Sequence, residues 1–456
     1  MARNPVRTLP MLAFAMPGFL SAFVHLPAAG IVPTIYSTDF GLSLTLIGTA
    51  LLVSRSADVV LDPMIGWLSD RTGGRLGARK PWVMFGVLLT MVSTWFLFMP
   101  PPHPGYGYFL LWYTVIYLAW SLIEIPHVAW GFEITRDYDA RSKIVTIRII
   151  AQAIAGLSFM LVPLLPIFKN SAVTPATLRF MAWVVVGLGP LVLLGTLTGP
   201  AGIPVERSDR YRLKELLSVV RGNRPFWIFL TGFILNGFSA GMFGALTFLY
   251  FSNYLGLANQ FVVLFAALTL ITLVTLPLAP LIIRLLGKRE TWAGSMLIGM
   301  CAFPLILLVP KGPAGLVPLL LICIPIGLTN GLTNVASASV LGDVIDYDTW
   351  RTGKKRAAVY SAVISFVVKL NAIPGAAVAL MIVGLLGYRP ELGSANTATA
   401  AIGLKIAYVF APMVFFGLSA LFAWRFPIDR KRQSVIARRL ASRETRQQAL
   451  LAATMV

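Results

Sequence analysis

The 456-residue chain is predicted to be an all-α integral membrane protein, with twelve transmembrane helices in two pseudo-repeated six-helix bundles. Three observations predict it. Hydrophobic residues make up 57% of the chain and charged residues 12%, outside the range of soluble domains. At roughly 20 residues per crossing plus short loops, this length holds about twelve spans and no sizeable soluble domain. Second, 38 Lys and Arg stand against 18 Asp and Glu, a net charge of +20, and most of the excess lies in alternate loops. That is the positive-inside pattern: both termini are expected to be cytoplasmic, in a cell (inner or plasma) membrane, and the charge is no argument for nucleic acid. Third, the longest basic loop divides the chain near its middle. The turn TIYSTDFGLSL after the first helix is echoed by FLYFSNYLGL after the seventh, as a six-plus-six repeat requires.

The first helix runs from about Met11 to Tyr36, carries His25 and no acid, and is too long for a cleaved signal, so it is read as retained. The second spans about Leu44–Leu68 and leads into the basic hairpin 69–81. The third ends at PPPHPGYG, where His103 is an ordinary loop residue. The fourth, about Tyr108–Phe132, carries Trp120, Ser121, Glu124, His127 and Trp130. Arg148 lies just inside the fifth, and the sixth closes a first bundle, 1–198. The cytoplasmic middle loop 199–225 contains LKELLSVV, whose spacing suits a short helix along the membrane surface. The second bundle is 226–424. In it, Gly237, Gly241 and Gly244 are read as close-packing positions, the tenth helix carries Asn330 and Asn334, and the eleventh carries Lys369. The tail 425–456 is basic and expected to be solvated, facing lipid headgroups. Cys301 and Cys323 sit in apolar runs and indicate neither disulfide nor metal site.

Charges inside spans are functional suspects, because each costs at least about 2.5–3.5 kcal/mol near the bilayer centre. Asp58 and Asp62, four apart, share one helix face, with Arg55 a turn earlier. Two carboxylates so close repel unless a cation, a proton or a basic partner lies between them. The alternative is an Arg55–Asp58 pair that neutralises itself and leaves Asp62 unexplained. Asp58, Asp62 and Glu124 lie about 9–15 Å, and Lys369 about 18 Å, from the inner helix ends at 1.5 Å per residue. Three bases (Arg55, Arg148, Lys369) thus balance three acids near one depth, as midplane binding requires.

Around these residues the sequence resembles a known family. D-x-x-x-D-P-x-x-G-x-x-x-D-R-T, from Asp58 to Thr72, is similar to the glycoside–pentoside–hexuronide:cation symporter family (melibiose-permease-like) of the major facilitator superfamily. S-L-I-E-I-P from Ser121 and D-x-x-D-Y from Asp343 are similar to further motifs of that family. The resemblance implies the major facilitator fold and a coupling Na+, Li+ or H+ at Asp58, Asp62, Ser121 and Glu124. It implies solute contacts at Glu124, Arg148 and Lys369, with aromatic stacking near Trp120 or Trp130, and charge balance by Arg55 and Lys369. It also implies a conformational loop at Gly66, Asp70, Arg71, Arg75 and Arg79. The first helix lacks the family's sugar-binding acid, and Glu stands for Asp at position 124, so the cation machinery matches better than the sugar pocket.

The function expected is secondary active import of a glycoside or related carbohydrate, driven by Na+ or H+ and with no cofactor. The alternative is a lysolipid or other amphiphilic or organic-anion solute on the same carrier. The partners implied are the solute, the cation and membrane lipids. A primary pump would need a phosphate loop, G-x-x-x-x-G-K-[ST], which the sequence lacks. A membrane-embedded enzyme would need a nucleophile–base or metal set, which three scattered histidines do not supply. Of the histidines, His127 is expected to be an interhelical hydrogen-bonding residue and His25 a packing residue.

The charge pattern sets a first test. A reporter fused to the C-terminus should be active only in the cytoplasm; activity only on the other side would overturn the helix count.

Overall fold

The computed structural model describes residues 8–72, 76–135, 138–200, 222–354 and 356–454. Among them, twelve helices are long and apolar enough to cross a membrane. In the first half these are α1 (Thr8–Gly30), α2 (Leu44–Arg71), α3 (Lys80–Phe98), α4 (Tyr106–Glu133), α5 (Tyr138–Leu161) and α6 (Pro175–Thr198). In the second they are α7 (Arg224–Tyr254), α8 (Phe261–Leu286), α9 (Lys288–Leu305), α10 (Leu316–Thr352), α11 (Ala357–Leu385) and α12 (Ala398–Trp424). A terminal helix, α13 (Arg430–Thr454), follows. Starts and stops have local causes. Prolines sit in the first turns of α3, α6 and α7, where the missing N–H has no partner to lose. Asn223 caps α7 by accepting from the Phe226 N–H at 3.2 Å, and α10 stops at Gly353 in the left-handed conformation (φ 71°).

The repeat is visible in which helices pack together. In the first half α1 lies against α5 and α6, α2 against α4, and α3 against α4 and α6. Adding six to each number gives the main pairings of the second half: α7 with α11 and α12, α8 with α10, and α9 with α10 and α12. The seam between halves is asymmetric. α2 and α11 pack closely, whereas the equivalent pair, α5 and α8, barely touch. Of the twelve spans, α5 and α8 also bury the smallest share of their apolar windows, 22% each.

The α2–α11 seam is closed by backbone approach, at the face opposite the one where α1 begins. A Cβ on Gly48 would lie 2.8 Å from Met381 Cγ and 2.9 Å from the Ala377 carbonyl oxygen, and one on Gly384 would strike Thr45. Beside this seam, a Cβ on Gly30 of α1 would meet the Gly244 carbonyl of α7 at 3.0 Å. Small residues allow helices to approach this closely where lipid offers no hydrophobic drive. The close-packing reading holds at Gly237, where a Cβ would collide with Asn371, but a Cβ on Gly244 would meet nothing within 4 Å, and Gly241 and Gly244 line the central cavity.

Three sequence expectations change. The first helix is not continuous to Tyr36. It ends at Gly30 and a short helix, Val32–Thr38, follows; Pro33 cannot donate to the preceding turn, which interrupts the hydrogen-bond ladder. The tail is not merely solvated. α10 has 37 residues, about 55 Å at 1.5 Å per residue, so it outruns a ~30 Å hydrocarbon core, and α13 packs on its protruding end. Ile436 is buried there, Arg443 donates to the Trp350 carbonyl at 2.7 Å, and the Arg439 guanidinium lies 5.6 Å over the Trp350 ring. Asp429 starts the helix by accepting from the Arg432 N–H at 2.8 Å, a bond that holds its carboxyl below the usual carboxylate range. Finally, α7 begins at Arg224, just ahead of the expected 226, while LKELLSVV and most of the middle loop lie outside the described residues.

Because the seam depends on a missing side chain, Gly48→Leu should hold α2 and α11 apart. A Thr45→Cys thiol is then expected to react about tenfold faster with an impermeant maleimide from that face, a ~1.4 kcal/mol population shift. Unchanged labelling would show that this contact does not govern closure.

Candidate functional site

A cavity of about 650 Å³ lies between the two halves. From the first half it is lined by His25 of α1, Arg55 of α2, and Tyr117 and Trp120 of α4. From the second, Phe243, Thr269, Asn330, Val368 and others contribute a wall that is mostly apolar. α2 and α4 run parallel and in contact, so residues a turn apart on one face a turn apart on the other. The Arg55 guanidinium donates to Asp58 Oδ2 at 2.8 Å and lies 3.3 Å over the Tyr117 ring and 5.8 Å from that of Trp120. His25 stacks on Trp120 (4.5 Å, 13°) and meets Tyr117 edge-on (5.2 Å, 87°). A guanidinium, two aromatic rings and an imidazole thus form one continuous face. His25, expected to be a packing residue, is part of the cavity wall.

One turn along, Asp58 leads to Asp62, and Tyr117 leads to Ser121. Ser121 is fully buried, and its hydroxyl has no hydrogen-bond partner among the described residues. A buried hydroxyl without a partner is costly in a helix that could have offered it a carbonyl. Ser54, one turn before Asp58, is buried in the same way and was missed in the sequence, where a lone serine carries no signal. Two carboxylates, with one or two such hydroxyls a turn away, offer hard-oxygen ligands of the kind Na+ or Li+ takes, and the same carboxylates can take a proton. The Arg55–Asp58 pair that the spacing offered as an alternative is formed, yet Asp62 remains one turn beyond it.

Glu124 pairs with Arg148 and accepts from Gln152 Nε2 at 3.5 Å. The pair joins α4 to α5 one turn past Trp120 and does not line the 650 Å³ cavity. Trp130 is not brought to either group. It is buried at the end of α4 against Phe14 and Ile144, and its N–H donates to the Pro200 carbonyl at 3.0 Å. His127 bonds through Nε2 to the Phe14 carbonyl at 2.7 Å, the interhelical role expected of it. Lys369 lies on α11 next to Val368 of the cavity wall; its side chain is outside the described residues.

Of the loop residues, Asp70 and Arg79 are brought together at 2.6 Å, and Arg79 also bridges to Glu133 at the end of α4 at 2.8 Å. Glu133 completes this clamp across α2, α3 and α4, and only folding brings it there. Arg71 lies 3.8 Å over the Trp67 ring, Gly66 faces Ile125 of α4 with room for a Cβ (3.9 Å), and Arg75 is outside the described residues.

The sequence pattern of the family described as MFS/sugar transport protein matches residues 9–430. A glucuronide carrier protein homolog of Escherichia coli (strain K12) is 25% identical over 431 residues, covering 91% of this chain and 92% of that protein. A putative glycoside/cation symporter, YagG, of the same organism is 25% identical over 418 residues, covering 89% of this chain and 88% of that one. In fold, the chain is similar to an inward-facing, unoccupied bacterial homolog of the human lysosomal transporter Spinster, with a TM-score of 0.70, 14% identity, and coverage of 96% of this chain and 99% of that one.

Purified Asp62→Asn and Ser121→Ala variants are each expected to bind Na+ or Li+ about tenfold more weakly, or ~1.4 kcal/mol, by titration calorimetry. Undiminished binding in both would detach the ion from this cluster.

Proposed function

The chain belongs to the MFS/sugar transport protein family, and from that premise we propose that it imports a glycoside by alternating access, driven by Na+ or H+. It is a secondary transporter and not an enzyme. In this reading the cation takes Asp58, Asp62 and Ser121, and both termini face the cytoplasm. The bundles 1–198 and 226–424 rock about the central cavity.

The observation that carries the proposal is the Arg55 guanidinium, which belongs to both sites. It lines the cavity and also holds Asp58 at 2.8 Å. A polar group of the solute that draws on Arg55 weakens its hold on Asp58, so solute and cation bear on one another through a single side chain. Trp120, backed by His25, offers a flat ring to a sugar, and His25 and Arg55 offer hydrogen-bond donors. Glu124 and Arg148 support this wall from one turn away, and Lys369 is proposed to balance the aspartate pair from α11. Two relatives carry names that point to glucuronides and to glycoside/cation symport.

The mostly apolar remainder of the cavity favours a solute with a greasy part, and it is the reason to keep an amphiphile such as a lysolipid as the second reading. A glycoside with an apolar aglycone is expected to bind about tenfold more tightly than the free sugar, in a Na+- or pH-dependent way, and Glu124→Gln to weaken it by a similar factor. Binding and counterflow assays on purified, reconstituted protein decide. Saturable lysolipid binding with no affinity for any glycoside would replace the sugar while leaving cation coupling in place.

A further inference from the structure

A second cavity, of about 240 Å³, opens inside the second half, between α7, α9, α10 and α12. Its wall is unlike that of the central cavity. It carries three carboxamides, Asn236 of α7 and Asn330 and Asn334 of α10, with two hydroxyls, Thr329 and Thr333, and the ring of Phe303. No charged side chain lines it among the described residues. Asn330 lines both cavities, as do Ala240 and Phe243, so the two spaces adjoin at these side chains.

The hydrogen bonds show which of these groups are committed. Thr329 Oγ1 donates to the carbonyls of Ser295 (3.0 Å) and Pro325 (2.8 Å), and Thr333 Oγ1 bonds Ser295 Oγ at 2.9 Å. Asn334 donates to the Asn330 carbonyl at 2.9 Å and keeps its own carbonyl oxygen. The side-chain amides of Asn236 and Asn330 have no hydrogen-bond partner among the described residues. An amide in a membrane helix that binds nothing costs several kcal/mol unless it faces water or a ligand. Each carboxamide both donates and accepts, which matches a vicinal diol, and the absence of charge fits neither a cation nor an acid.

We propose that this side chamber is a second solute subsite, which takes an uncharged, hydroxyl-rich ring, so that the preferred solute has at least two sugar units. The proposal rests on the glycoside reading. The first ring lies against Trp120, and the second reaches past Asn330 between Asn236 and Asn334. Asn236 and Asn334 line only the side chamber, so they act on the second ring alone.

Binding of phenyl β-glycosides of glucose, galactose and xylose to the purified full chain, against the phenyl β-glycosides of their β-1,4-linked disaccharides, tests it. For at least one sugar the disaccharide should bind about tenfold more tightly. Asn236→Leu and, independently, Asn334→Ala should abolish that gain while leaving the monosaccharide glycoside unchanged, which also shows that each variant is folded. No disaccharide advantage in the parent protein, or equal loss of both ligands in the variants, would mean a chamber filled only with water and would overturn the subsite alone. If no glycoside of either length binds, the glycoside reading falls and the subsite with it.

Discussion

Arg55 puts a guanidinium inside a membrane helix, where it must be held, and the rest of the central region is arranged around holding it. Asp58 neutralises it from the next turn of the same helix, while Tyr117 covers its face from α4. The second contact sets the register of α2 against α4 and so decides what stands at the next turn, with Asp58 and Asp62 on one helix and Ser121 on the other. It also sets Trp120 and His25 as the continuation of the same wall. A neutral residue at position 55 would remove the Arg55–Asp58 ion pair and the cation over the Tyr117 ring. In the proposed reading, the cation cluster and the solute wall are two sides of one charge.

Around this centre, the two faces of the molecule are held by different forces. At one face the halves meet through glycines of α2 and α11, where backbones approach closely. At the other, ion pairs and capping bonds act within each half. Arg79 joins Asp70 to Glu133, and Lys80 donates to the carbonyls of Leu197 and Gly199 at the end of α6. In the second half Lys288 pairs with Asp343, and α13 straps the end of α10. Dispersion between small residues is undone by a small separation, whereas partly buried ion pairs and hydrogen bonds resist it. Each half is therefore stiff at its charged end and separable from its partner at the other, as rigid-body rocking demands.

Local chemistry made part of the site legible. The spacing of Arg55, Asp58 and Asp62 on one helix is a sequence fact, and an acid or base in an apolar run announces itself, as Glu124, Arg148 and Lys369 do. Partners from distant segments did not announce themselves. Glu133 looked like the start of a loop, and Ser54 is an ordinary residue until its hydroxyl proves to be buried with no partner among the described residues, whereas Ser121 stood out through the S-L-I-E-I-P motif. Trp120 and Trp130 lie ten residues apart on one helix, nearly three turns, and only their neighbours separate a cavity wall from a packed end. His25, a lone histidine in an apolar helix, had packing as its simplest reading until Trp120 stood opposite.

By itself the sequence determined the number of spans, their alternating direction, the division into two halves and the helix that carries the paired carboxylates. Each of these is local: apolar length, loop charge and a spacing of four along one helix. Tertiary structure alone decided the rest. It closed α2 on α11 while leaving α5 and α8 apart, turned Trp130 away and His25 inward, and opened a chamber between Asn236 and Asn334. The physical reason is that lipid, unlike water, does not distinguish one apolar helix face from another, so the sequence carries little amphipathic signal for which face turns inward. Inter-helix packing, which depends on small residues from segments far apart in the chain, makes that choice.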